Sequence, residues 1–201
     1  MRDKALKFHS KLDYLADAGT GLSTLHAFGG AHGQFGLEHT VLHNGHGLLK
    51  NCSLEAPIIT PESLTILGGK YPAPEILKAR ETGDTTKIDP QKVDVFSLGI
   101  EILHLTIDRT LPNVSGLIDN SSHKFPSAPT KRNVSVFMKQ LRNLEERLKR
   151  PCSTELETQI RTQLSELIHD CTRQDPQKRI SMEEATMRLR DIVEDHAEKP
   201  A

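Results

Sequence analysis

The sequence predicts a mainly α-helical fold with few strands, and three segments carry that prediction. From Val93 to Leu105 the apolar residues lie almost all the way round a helix, which is typical of a central, buried one. Two amphipathic helices then close the chain. The apolar stripe of the first consists of Leu156, Ile160, Leu164, Leu167 and Ile168. That of the second consists of Met182, Ala185, Leu189, Ile192 and Val193, preceded by a capping box at Ser181 and Glu184.

The N-terminal part predicts one more helix followed by a small hairpin. Leucines and alanines recur at helical spacing through the first thirty residues, and Gly19 and Gly21 weaken the pattern near its end. Residues 29–55 are rich in glycine and histidine. Within them, two short apolar runs flank Asn44-Gly45, a strong hairpin-turn signal. Residues 106–133, with three prolines among Gly, Asn and Ser, predict a long irregular loop or short irregular helices.

Composition predicts a soluble, intracellular, cytoplasmic protein of one domain. A chain of 201 residues with 26 basic and 27 acidic side chains has a formal charge of -1. No global field therefore draws it to nucleic acid or to an anionic membrane. Three widely spaced cysteines form neither a disulfide framework nor a C-x-x-C pair. Neither a signal peptide nor a membrane span is predicted.

Three separated stretches resemble the C-terminal lobe of a protein kinase. "KYPAPEIL" is similar to the end of the activation segment, "VDVFSLGIEIL" to the central helix, and "IHDCTRQDPQKRISMEEA" to the last two helices. The resemblance covers residues 5–195 as one domain, with residues 196–201 as a tail. It implies a helical bundle around a buried central helix, with the hairpin at the catalytic-loop region and the N-terminal lobe absent. Residues 29–70 then correspond to the catalytic loop and activation segment.

The resemblance implies two structural anchors, formed by three residues. Glu75, in the Ala-Pro-Glu motif, matches a glutamate that pairs with a buried arginine, here Arg179. Asp94 matches the aspartate that opens the central helix and accepts hydrogen bonds from the backbone of the catalytic loop. Both anchors are architectural, and neither performs chemistry.

The catalytic loop itself is degenerate in this resemblance. Leu25-His26 sets the register, so that His32 matches the structural histidine and Gln34 the catalytic aspartate. An amide accepts no proton at ordinary pH, so general-base catalysis is lost from that position. Gly36 stands at the phosphate-contacting lysine and His39 at a metal-binding asparagine. Cys52 and Ser53 fall where the magnesium-binding aspartate belongs, although Mg²⁺ requires oxygen ligands.

We therefore expect a pseudokinase fragment that acts through protein–protein interaction or regulation, without cofactor. One alternative is that the chain is part of an active Ser/Thr kinase that binds ATP and magnesium and uses an atypical catalytic loop. Glu38 or Glu55 would then supply the carboxylate. A second alternative is a zinc-binding module, whose ligands would come from His32, His39, His43 and His46.

Two further features bear on partners and regulation. Residues 131–150 form a basic helix with apolar residues at helical spacing, a pattern that fits either an ordinary solvated helix or a docking surface for an acidic partner. Thr60, Ser63 and Thr65 lie in the activation-segment equivalent and are candidate phosphorylation sites.

Overall fold

Six α-helices and one β-hairpin make up the described part of the chain. The computed structural model describes residues 8–55, 57–60, 62–69, 71–110, 131–152 and 154–195. Its elements are α1 (Phe8–Ala27), β1 (Thr40–His43), β2 (His46–Leu49), α2 (Pro74–Thr82), α3 (Pro90–Thr110), α4 (Lys131–Leu148), α5 (Glu155–Cys171) and α6 (Met182–Asp195). The prediction of a mainly helical fold with a small antiparallel hairpin is confirmed.

The core is built around α3. Val93, Phe96 and Ile102 are fully buried, and α1, α5 and α6 all pack on this helix. Burying one such side chain contributes about 1.5–3 kcal/mol. Because other helices cover α3 from several sides, its sequence is apolar nearly all the way round. The helices α1, α5 and α6 are therefore positioned by their packing on α3.

The hairpin lies directly on α1. Val41 pairs with Leu48, and the turn between the strands has φ of 50° at Asn44 and 84° at Gly45, as a type I′ turn requires. On β2, a Cβ atom added to Gly47 would lie 2.2 Å from the carbonyl oxygen of Tyr14. Only glycine allows this approach, so the position of the hairpin depends on Gly47.

The range 106–133 is predicted to be irregular, but both of its ends belong to regular helices. α3 continues to Thr110 and α4 begins at Lys131. Thr106 is fully buried and its hydroxyl donates to the carbonyl oxygen of Ile102, so continuing the helix satisfies a buried polar group. Residues 111–130 and the tail at 196–201 lie outside the described residues.

One detail of the predicted helices differs from the structure. Leu156, assigned to the apolar stripe, is 55% exposed because it lies in the first turn of α5.

The helix predicted for the N-terminal part is present as α1, which continues through Gly19 and Gly21 to Ala27. Tertiary contacts explain the continuation, since Gly19 lies against Thr186 of α6 and Gly21 against Leu49 of β2.

Replacing Thr186 with valine is expected to stabilise the protein by about 1 kcal/mol. The Thr186 hydroxyl is buried against Gly19 and has no hydrogen-bond partner in the described part of the chain. Valine keeps the shape and removes the desolvated polar group. Thermal unfolding measures the change, as a rise in Tm of roughly 2–4 °C. In the control Thr162→Val, the lost hydroxyl donates to Thr158, so no such gain is expected. A lower Tm for Thr186→Val contradicts this explanation.

Among the described residues, no helix combines the length and the apolar character needed to cross a bilayer.

Candidate functional site

The loop after α1 is fixed by a carboxylate at the start of α3. Asp94 is fully buried. Its Oδ1 accepts a hydrogen bond from the backbone N–H of Gly33 at 2.7 Å, and its Oδ2 accepts one from the N–H of His32 at 2.7 Å. Oδ2 also lies 3.0 Å from Nε2 of His26, which donates because the carboxylate only accepts. Three donors thus compensate for the burial of this charge.

Gln91 holds the same loop from a second point on α3. Its side-chain amide donates to the carbonyl oxygens of His26 and Gly30, each at 3.0 Å. Asp94 binds the N–H groups of the loop and Gln91 binds its C=O groups. Together they determine the path of the backbone between the end of α1 and Gly33.

His32 uses both of its ring nitrogens within the protein. Nε2 lies 2.9 Å from the carbonyl oxygen of Lys50, so Nε2 carries the proton and donates it. Nδ1 then accepts a hydrogen bond from the N–H of Gln34 at 3.3 Å. A metal ion would have to displace one of these bonds. The ring therefore joins the loop to the end of the hairpin.

Gln34, which stands at the catalytic aspartate in the resemblance to kinases, presents an amide. Gln34 follows the two residues bound by Asp94, and its side chain is half-buried. Gly36 precedes a single 3-10 turn at Leu37–His39. A Cβ atom on Gly36 would lie 2.6 Å from Oε2 of Glu38, so that carboxylate lies against the backbone of the loop. Glu38 was one of the two substitute carboxylates considered above.

Cys52 and Ser53 follow the hairpin and are exposed. Partial desolvation, together with the negative charge of Asp94, raises the pKa of the Cys52 thiol, so the free thiol is protonated at neutral pH. The Ser53 hydroxyl accepts a hydrogen bond from the N–H of Glu55 at 3.3 Å. Neither position supplies a carboxylate oxygen for Mg²⁺.

The second anchor is a two-point ion pair between α2 and the segment before α6. Nη1 and Nη2 of Arg179 donate to the two carboxylate oxygens of Glu75 at 2.6 and 2.7 Å. The Arg179 side chain has no exposed surface, and its guanidinium lies 5.0 Å from the centre of the Phe96 ring. It also donates to the carbonyl oxygens of Lys92 and Arg173. The anchor residues expected from the sequence, Glu75 and Arg179, are therefore in contact.

The candidate phosphorylation sites differ in their surroundings. Thr60 and Ser63 bond each other: the hydroxyl of Thr60 accepts from the N–H of Ser63, and the hydroxyl of Ser63 donates to the carbonyl oxygen of Thr60. A phosphate on either hydroxyl would break this turn. Thr65 is exposed and donates to the carbonyl oxygen of Glu62. Among the three, Thr65 is the most accessible.

The histidines of the zinc alternative have separate surroundings. The rings of His32 and His39 lie 5.4 Å apart, whereas His43 bonds Asn44 and His46 bonds Asp17 of α1. Across the described residues, no three His, Cys, Asp or Glu side chains are grouped to hold a metal ion. The geometry gives the zinc alternative no support.

Asp17 of α1 binds the hairpin through its carboxylate, so we expect the attachment of the hairpin to α1 to depend on pH. Burial raises the pKa of its carboxyl, but hydrogen bonds from Arg190, the N–H of Gly47 and His46 outweigh this effect and hold the pKa below its ordinary value. A lowered pKa in the folded state adds stability above the unfolded pKa, and that stability is lost as the pH falls through the folded pKa.

Replacing Asp17 with asparagine is therefore expected to destabilise the protein above the unfolded pKa of about 4, and the difference is expected to shrink as the pH falls below it. Urea unfolding of both proteins across this range measures the difference. Asp13→Asn, the same charge change at an exposed position of α1, is the matched control. A constant difference at all pH values would contradict the role given to the carboxylate.

Sequence reasoning missed a buried polar cluster between α4 and α5. Glu145 is 2% exposed and contacts Arg142 of its own helix. Its Oε2 lies 3.0 Å from Nδ1 of His169, and its Oε1 accepts from the hydroxyl of Thr172 at 3.1 Å. In the sequence Glu145 is one of two adjacent glutamates in a charged helix, and nothing there distinguishes it from its exposed neighbour Glu146.

These contacts define a loop whose backbone is held firmly by side chains of α3. Asp94 and Gln91 fix its backbone, and Gln34 and Glu38 are the polar side chains that follow. No protein-family model matches the sequence, and no curated protein matches it significantly.

Proposed function

We propose that the chain is the C-terminal lobe of a protein-kinase-like domain that has lost phosphoryl transfer and acts by binding another protein. The observation that carries this proposal is the loop held by Asp94. Two consecutive N–H groups, of His32 and Gly33, bond its carboxylate, and the next residue is Gln34. A loop fixed in this way is the arrangement in which a kinase would place its base.

The chemistry of the remaining positions favours the same conclusion. A positioned base contributes a factor of roughly 10² to 10⁴ to a rate, and the Gln34 amide cannot act as one. His39, Cys52 and Ser53 replace oxygen ligands that Mg²⁺ prefers. The Glu75–Arg179 pair and the Asp94 contacts, which need no chemistry, are intact. A domain that keeps these structural contacts but lacks the catalytic groups is better suited to act as a scaffold or regulator than as an enzyme.

One observation favours a second candidate, an active kinase with an atypical loop. The Glu38 carboxylate lies against Gly36, two residues after Gln34, so a carboxylate does lie beside the loop. In that case Glu38 would serve as the base, and ATP with magnesium would be required. Glu55 is a weaker choice, because it lies beyond the exposed residues Cys52 and Ser53.

Thermal unfolding in the presence of nucleotide tests the proposal. A ligand at about one hundred times its Kd adds about 2.7 kcal/mol of stability, which raises Tm by several degrees. We expect millimolar ATP with magnesium to leave Tm unchanged relative to magnesium alone. A saturable rise of several degrees that requires both components would contradict the proposal and favour the second candidate.

We propose that the partner protein contacts the basic helix α4. Leu141 and Leu148 of its apolar face are buried, and Phe137 lies against Phe96 of α3. The apolar face therefore packs on the core and is not free to dock. A partner would meet its polar face, on which Lys139 is exposed, and the exposed Lys149 directly after the helix.

A further inference from the structure

We draw no further inference here: the strongest candidate, the exposed apolar surface of the hairpin and of the segment that follows it, with Val41, Leu48, Leu54 and Ile58, is an unpartnered face, and nothing in the structure shows what covers it.

Discussion

Replacing Asp94 with alanine is expected to destabilise the protein by about 3–5 kcal/mol, since the N–H groups of His32 and Gly33 and the Nε2–H of His26 all lose their acceptor. A buried donor without a partner costs about 1–3 kcal/mol. Urea unfolding measures the change. The loop should also lose protection against amide exchange near Gly33, while the centre of α5 keeps its protection.

The controls for Asp94 separate the hydrogen bonds from the charge. Asp94→Asn keeps one acceptor oxygen, so a smaller loss is expected than for alanine. Asp191→Ala, at an exposed position of α6, should change stability by no more than about 0.5 kcal/mol. Equal stability of the Asp94→Ala variant and the unmodified protein would show that Asp94 does not hold the loop.

Replacing Arg179 with methionine is expected to cost about 3–5 kcal/mol, because it leaves the Glu75 carboxylate without its partner. The Glu75 side chain is only 8% exposed, so water compensates for little of the loss. The carbonyl oxygens of Lys92 and Arg173 lose a donor as well. The fall in Tm should be on the order of 10 °C in a scan of the purified protein.

Lys149→Met is the matched control for Arg179. Lys149 pairs with Glu146 at 3.1 Å, but both side chains are largely exposed, and such pairs are worth about 0–1 kcal/mol. A loss for Arg179→Met no greater than that for Lys149→Met would contradict the importance of the buried pair.

Local patterns in the sequence predicted the helices and the hairpin well. The hairpin followed from Asn44-Gly45, because few residues adopt a positive φ as readily, and α3 followed from its all-round apolar pattern. α2 was not predicted, although Pro74 at its first position and Gly83 with φ of 73° after its last are recognised boundary signals. The apolar residues of a nine-residue helix show too little periodicity to reveal it, so these two boundary residues are its main signals in the sequence.

The candidate site was predictable only where motifs could place residues. Asp94, Glu75 and Arg179 came from the resemblance, since the partners of each pair are more than sixty residues apart along the chain. The buried state of Glu145 was not predictable, because its partners His169 and Thr172 belong to a different helix and its terminus.

Phosphate transfer from ATP labelled at the γ-phosphate, with magnesium or manganese present, tests the central claim most directly. We expect the purified chain to transfer no more label to itself or to a mixed protein substrate than a heat-denatured sample does. Transfer that is lost in Gln34→Ala or in Glu38→Gln, both of which should remain folded at half-buried and exposed positions, would show that the loop is catalytic and would contradict the account.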